Sequence, residues 1–343
     1  MKFSAFKYKR VAGCVVAVIV LLGVVMTSFS YLPTSRSKME RSVAMMECRS
    51  YYAVRVGGKP LFYFQNLTSD TLFSRVDTAA IEIAQVSYTP ACWVNACAVI
   101  PSCRGRLVTY VDGNGDSVKA VVSKHRGRIL AHEIAVLEKE EKILEHKALE
   151  LKYYLNVHGV QDEGFNSVSK YAVKVNHEKD SVSHILARLR HLHQKARIDV
   201  AYVTDYTLLV RSANGKLERK PCRPLSSRDA HGFVLLQTKD ATTPDGACTQ
   251  NLHNWLSWTA DEGDLIFVPG YGGMSRPAFD AGKAIANLTP GHVTDATGKH
   301  NIPQLLAPDG SPVYSQNGCF LGLTCQGRVI GTKTLARLFK TVK

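Results

Sequence analysis

The chain has 343 residues, of which 45% are hydrophobic and 21% charged, with nine cysteines and a formal net charge of +14. That apolar content excludes a disordered chain and suffices for one large or two small domains. Only one apolar run is long enough to cross a bilayer, which excludes a polytopic membrane protein. The basic excess raises the question of a nucleic-acid partner.

Residues 1–10 carry Lys2, Lys7, Lys9 and Arg10 and precede an uncharged run, Val11–Leu32. At 1.5 Å per residue this run spans about 33 Å, enough for a hydrocarbon core. It predicts an N-terminal transmembrane helix acting as a signal anchor. The flanking cations keep residues 1–10 in the cytoplasm and put the rest outside, in the periplasm if the membrane is a bacterial inner membrane. A cleaved signal peptide ending at Ser28-Phe29-Ser30 is the alternative, giving a secreted chain. The sequons at Asn66 and Asn287 keep an ER-lumenal setting open. Seven cations, Lys2 to Arg41, set against the single acid Glu40 lie in the anchor flank and stalk. Much of the positive charge therefore reports topology, and no nucleic-acid partner is expected.

Cys14 lies in the anchor and the other eight cysteines lie beyond it, an even set that suits an oxidising compartment. Cys319 and Cys325 are close enough in sequence to be local disulfide partners, and Cys92, Cys97 and Cys103 form a crowded group of further candidates. Their spacings are not those of a zinc site, so neither a metal nor a cofactor is expected.

Residues 33–47 are short and polar and read as a stalk. Residues 48–125 read as a first β region from their β-branched, alternating segments, with Asp112–Asp116 as a hairpin turn rather than a calcium loop. From Arg126 the pattern becomes helical. Ile134, Leu137, Leu144, Ala148, Leu151 and Leu155 mark one stripe, broken at Glu141, and Val182, Ile185, Leu189, Leu192 and Ala196 mark another. With the glycines of 158–166 between them, 126–197 predicts a long antiparallel helical hairpin. His184, His191 and His193 among arginines read as a solvated basic face. Residues 198–343 return to strands punctuated by turns and read as a second β region. The fold class expected is mainly β with an α insertion.

Three segments of the last region resemble trypsin-like serine peptidases of the HtrA type. Glu262–Gly273 is similar to the strand and loop "GDxVxxxGxPxG", and Asp309-Gly310-Ser311-Pro312-Val313 is similar to the turn that carries the nucleophile. His231–Gln237 looks like the "DxALLK" strand. In the first β region only the apolar positions of 92–111 echo the family. The resemblance implies a double β-barrel, 48–125 and 198–343, interrupted by the hairpin. It also implies where a triad would lie. The nucleophile position falls on Asp309, the acid on Gly232, and the histidine near Val111 or Asp112. None of these supplies a serine, a histidine and an orienting acid. Pro308 also lacks an N–H where backbone donors are needed. A displaced set, Ser311, His231 and Asp229, is the fallback if the chain is active.

These residues lead to a membrane-anchored pseudo-peptidase that binds a protein or peptide, with a homo-oligomer through the hairpin as a further expectation. An active membrane-anchored endopeptidase and a structural component of an envelope or secretion assembly are the alternatives.

Overall fold

Segments of apolar and β-branched residues form strands, and in the computed structural model of the protein six of them close on one another. The structure describes residues 34–68, 73–95, 105–113, 115–191, 198–211, 217–252, 259–271 and 286–340. In chain order the elements begin with α1 (Arg36–Glu40), β1 (Val43–Val56), β2 (Lys59–Phe64), β3 (Asn66–Leu67), β4 (Phe73–Ser74), α2 (Ala80–Ile83), β5 (Gln85–Asn95) and β6 (Arg106–Tyr110). The helices α3 (Asp116–Val157) and α4 (Phe165–Arg190) follow, then β7 (Ile198–Arg211), β8 (Leu217–Pro224), β9 (Phe233–Thr238) and β10 (Gln250–Asn251). The last elements are β11 (Leu265–Gly270), β12 (Asn287–His292), β13 (Pro312–Ser315), β14 (Phe320–Cys325), β15 (Arg328–Gly331), α5 (Thr332–Leu335) and α6 (Arg337–Lys340).

Two compact units divide the chain: Met1–Cys48, Ser87–Gly113 and Tyr206–Lys343 form the first, Arg49–Val86 and Asn114–Asp205 the second. In the first unit, β5, β6, β9, β8, β7 and β1 neighbour one another in that order, and a further β5–β1 pairing closes the ring into a six-stranded barrel. Side chains alternate across a strand, so every second residue faces inward. Ala44, Met46 and Cys48, Ala91 and Trp93, Leu107, Tyr206 and Leu208, and Val234 and Leu236 therefore share one interior cluster. The residues between them, Cys92, Val94, Val108, Phe233 and Leu235, pack with Tyr314, Phe320 and Leu323. Those partners come from a five-stranded antiparallel sheet ordered β12-β11-β13-β14-β15. Its other face buries Ile266, Val268, Val313 and Leu321.

The second unit is organised by the hairpin of α3 and α4. Val118, Val122, Ile129, Leu137 and Leu144 of α3 lie four, seven or eight residues apart and are buried with Val175, Val182, Ile185 and Leu189 of α4. That spacing is one helical face. Phe62 and Phe64 of β2 and Phe73 of β4 complete the cluster. Each large side chain buried this way contributes about 1.5–3 kcal/mol.

The expected mainly β chain with a helical hairpin is present, and its internal boundaries differ from the sequence reading. Strands β7, β8 and β9, expected in the second barrel of 198–343, complete the first one. Periodicity identifies a strand without naming its neighbour, and the hairpin is an insertion within one barrel rather than a divider between two. The second half is a five-stranded sheet, with no pairing that closes it among the described residues. A short helical stretch from Asp116 precedes Arg126 and is separated from the long helix by a kink at His125 (φ −114°, ψ 20°), so the long helix starts where the sequence reading put it, while Asp116 opens that helical stretch instead of closing a β-hairpin. The valines of 118–122 suggest a strand by propensity, but burial of Val118 and Val122 on one helical face outweighs it. The expected anchor, Val11–Leu32, lies outside the described residues. Among those described, no helix is long and apolar enough to cross a membrane.

Candidate functional site

The positions to which the motifs assign a triad, Val111 or Asp112, Gly232 and Asp309, meet in the first unit. Val111 N–H donates to the Gly232 carbonyl at 2.9 Å, joining the end of β6 to the turn before β9. The Tyr110 ring fills the space beside Gly232, where an added Cβ would sit 2.5 Å from it. A Cβ on Gly310, next to Asp309, would lie 3.1 Å from the Tyr110 nitrogen. Strand pairing has thus gathered turns far apart in sequence around one tyrosine. Burial raises the Tyr110 phenol, and the nearby Asp112 and Asp309 charges raise it further.

The Asp309 carboxylate is built into its own turn. Oδ1 accepts the Gln326 N–H at 2.7 Å and Oδ2 accepts the Gln304 amide at 3.2 Å. Burial pushes its pKa above the ordinary carboxylate range, with like-charge repulsion from Asp112 adding to the rise. The Gln326 and Gln304 donors and the His300 charge oppose it. The neighbouring backbone is similarly committed. Ala307 N–H donates to Pro303 O at 3.0 Å, Gly310 N–H to Thr324 O at 2.8 Å, and Ser311 N–H to Pro308 O at 3.1 Å, while Pro308 has no N–H. A tetrahedral oxyanion needs free backbone donors converging on one point, and here Ala307 and Ser311 are engaged within the turn and Gly310 with β14.

The fallback set is not assembled. Ser311 Oγ is fully buried and makes no hydrogen bond among the described residues, so no base is in place to take its proton. Asp229 Oδ1 accepts the N–H groups of His231 at 3.0 Å and Phe233 at 2.7 Å, which makes it the cap of the turn entering β9. His231 is exposed on that turn, and its carbonyl accepts the Cys325 thiol at 3.3 Å. Cys325 is no substitute nucleophile, because burial pushes its pKa up to about 11, helped by Asp309 and Asp229 and opposed by Arg228. Beside this turn the 227–231 loop and α6 enclose a cavity of about 230 Å³, with Arg228, His231 and Arg337 on its walls.

The closed six-stranded barrel is consistent with a trypsin-like fold, while the second sheet of the double barrel that the resemblance implies is not closed among the described residues. Among solved structures the chain is similar to the MamO protease domain from Magnetospirillum magneticum in its apo form. That match has 13% identity and a TM-score of 0.28, covering 39% of this chain and 74% of that one. It is also similar to Deg5, with 10% identity and a TM-score of 0.35, covering 89% of this chain and 93% of that one. No protein-family model and no curated protein matches the sequence.

Among the disulfide candidates, Cys92, Cys319 and Cys325 are free thiols, and Cys97 and Cys103 lie outside the described residues. Cys319 and Cys325 are not local partners. They stand at the two ends of an extended strand, about 20 Å apart at 3.3 Å per residue, well beyond the reach of a disulfide. Two residues that motif reading passed over belong to the site. Gln304 holds Asp309, and His300 is buried nearby, where burial lowers its pKa and the Ile302 hydrogen bond and the Asp309 charge oppose that. Neither lies in a segment with a periodic or motif signal.

Proposed function

We propose that the chain is a pseudo-peptidase that binds a polypeptide segment without cutting it. The observation that carries this reading is the state of the nucleophile turn. An aspartate occupies it, both carboxylate oxygens are hydrogen-bonded within the fold, and the adjacent N–H groups are spent. A carboxylate so held cannot carry out acyl transfer by the serine route. The neighbouring cavity, with Arg228 and Arg337 on its walls, suits an acidic side chain of the bound segment.

The Val11–Leu32 run supports a single-pass anchor with the barrel outside the cytoplasm, in a bacterial periplasm. The hairpin supports a second contact surface. Leu149, Tyr153 and Val157, four residues apart on α3, are exposed on one face. An apolar stripe of this kind suits a partner protein or a second copy of the chain.

The test incubates full-length protein with a library of unstructured peptides, reading binding by fluorescence anisotropy and peptide integrity by mass spectrometry. Saturable binding of acidic peptides recovered intact is expected. Cleavage at a defined bond, or the absence of saturable binding across the library, contradicts the reading.

A further inference from the structure

The cavity of about 230 Å³ between the 227–231 loop and α6 gathers more hydrogen-bond donors than the chain itself uses. Arg228 Nε donates to the Val111 carbonyl at 2.9 Å, which fixes its guanidinium beside the turn at Gly232. Its Nη groups make no hydrogen bond among the described residues, and neither do the Arg337 guanidinium, the His231 ring or the hydroxyls of Ser227 and Thr334. Asp229 is the acid among the lining residues, and its Oδ1 already accepts the His231 and Phe233 N–H groups. Two guanidiniums against one carboxylate leave the wall cationic.

We propose that this cavity receives a phosphoserine or phosphothreonine of the bound segment, an assignment that rests on the peptide-binding reading above and names the side chain selected. A carboxylate carries one charge and two oxygens, whereas a phosphate monoester near neutral pH carries a charge of about −1.5 to −2 and three strong acceptor oxygens. Two planar guanidinium forks, two hydroxyls and an imidazole exceed what a carboxylate accepts and suit the phosphate. An arginine already held by the Val111 carbonyl also loses less freedom on binding than a free one. Two other carriers of a phosphate fit less well. No Phe, Tyr or Trp lines the cavity to stack a nucleobase. Among the described residues, no exposed large apolar side chain lies at 227–231 or 332–340 to enter a bilayer.

A peptide that the library screen recovers as a binder is resynthesised with serine, glutamate or phosphoserine at its acidic position, and its affinity for the full-length protein is read by fluorescence anisotropy. The phosphoserine form is expected to bind about tenfold tighter than the glutamate form. Arg337→Ala removes that gain. Because Arg337 makes no hydrogen bond or ion pair among the described residues, the variant keeps a Tm close to that of the parent. Arg337→Lys, which keeps the charge and loses the fork, retains part of the gain. Equal affinity of the glutamate and phosphoserine forms overturns the phosphate assignment and leaves the peptide-binding reading standing, whereas a library without a binder overturns both. A phosphoserine gain that persists in Arg337→Ala overturns the proposal as well. So does displacement of the labelled phosphopeptide by short-chain phosphatidic acid at lower concentration than by the unlabelled phosphopeptide, which assigns the site to a lipid headgroup.

Discussion

The Asp309 carboxylate accepts the backbone N–H of Gln326 at 2.7 Å, closing the turn before β13 onto the turn after β14. Gln326 sits at φ 51°, a left-handed conformation that a glutamine adopts at a cost. The aspartate therefore supports a strained turn. Asp309→Ala leaves that N–H without its acceptor and lowers stability by about 1–3 kcal/mol. Asp309→Asn, which keeps an acceptor oxygen, loses less. Urea denaturation of the two variants measures the difference, and equal losses contradict the assignment.

Restoring the acid at position 232 cannot rebuild a triad. Gly232 has φ +93°, and any Cβ there meets the Tyr110 ring at 2.5 Å. Gly232→Ala is expected to cost roughly 3 kcal/mol, from the left-handed backbone and the forced displacement of the ring. A melting temperature within a degree or so of the parent would show that Tyr110 yields freely.

Glu133 makes the second unit sensitive to pH. It lies buried on α3 and accepts the Phe73 N–H at 3.2 Å. Burial pushes its pKa up to about 7, and the Phe73 hydrogen bond opposes the rise. Between its ordinary value and about 7 the folded chain keeps a proton that the unfolded chain has lost. Stability therefore falls as pH rises through that window, by on the order of 3 kcal/mol. Glu133→Gln removes this slope. Denaturation at about pH 5 and about pH 8 tests it, and a slope that survives the substitution rules Glu133 out as its source.

Strands rich in apolar and β-branched residues between turns, such as Leu107–Thr109 and Phe233–Leu236, were legible in the sequence, and so was the hairpin stripe through Leu137 and Leu144. Which strands share a barrel was not legible. Pairing of β6 with β9 joins residues on opposite sides of the hairpin, and no local pattern encodes it. Val118 and Val122 read as a strand because β-branched residues favour one until a helix finds a buried face. At the site, Asp309 and Gly232 were placed only through the segments that resemble the trypsin-like family. Gln304, His300 and the N–H of Gln326 were not, because they reach Asp309 from loops whose contacts arise only on folding.

The proposed lack of peptidase chemistry is checked by treating the full-length protein with a fluorophosphonate probe and reading covalent labelling by intact mass. No labelling is expected, because Ser311 Oγ is buried with no hydrogen bond among the described residues. Labelling that disappears on Ser311→Ala would contradict it.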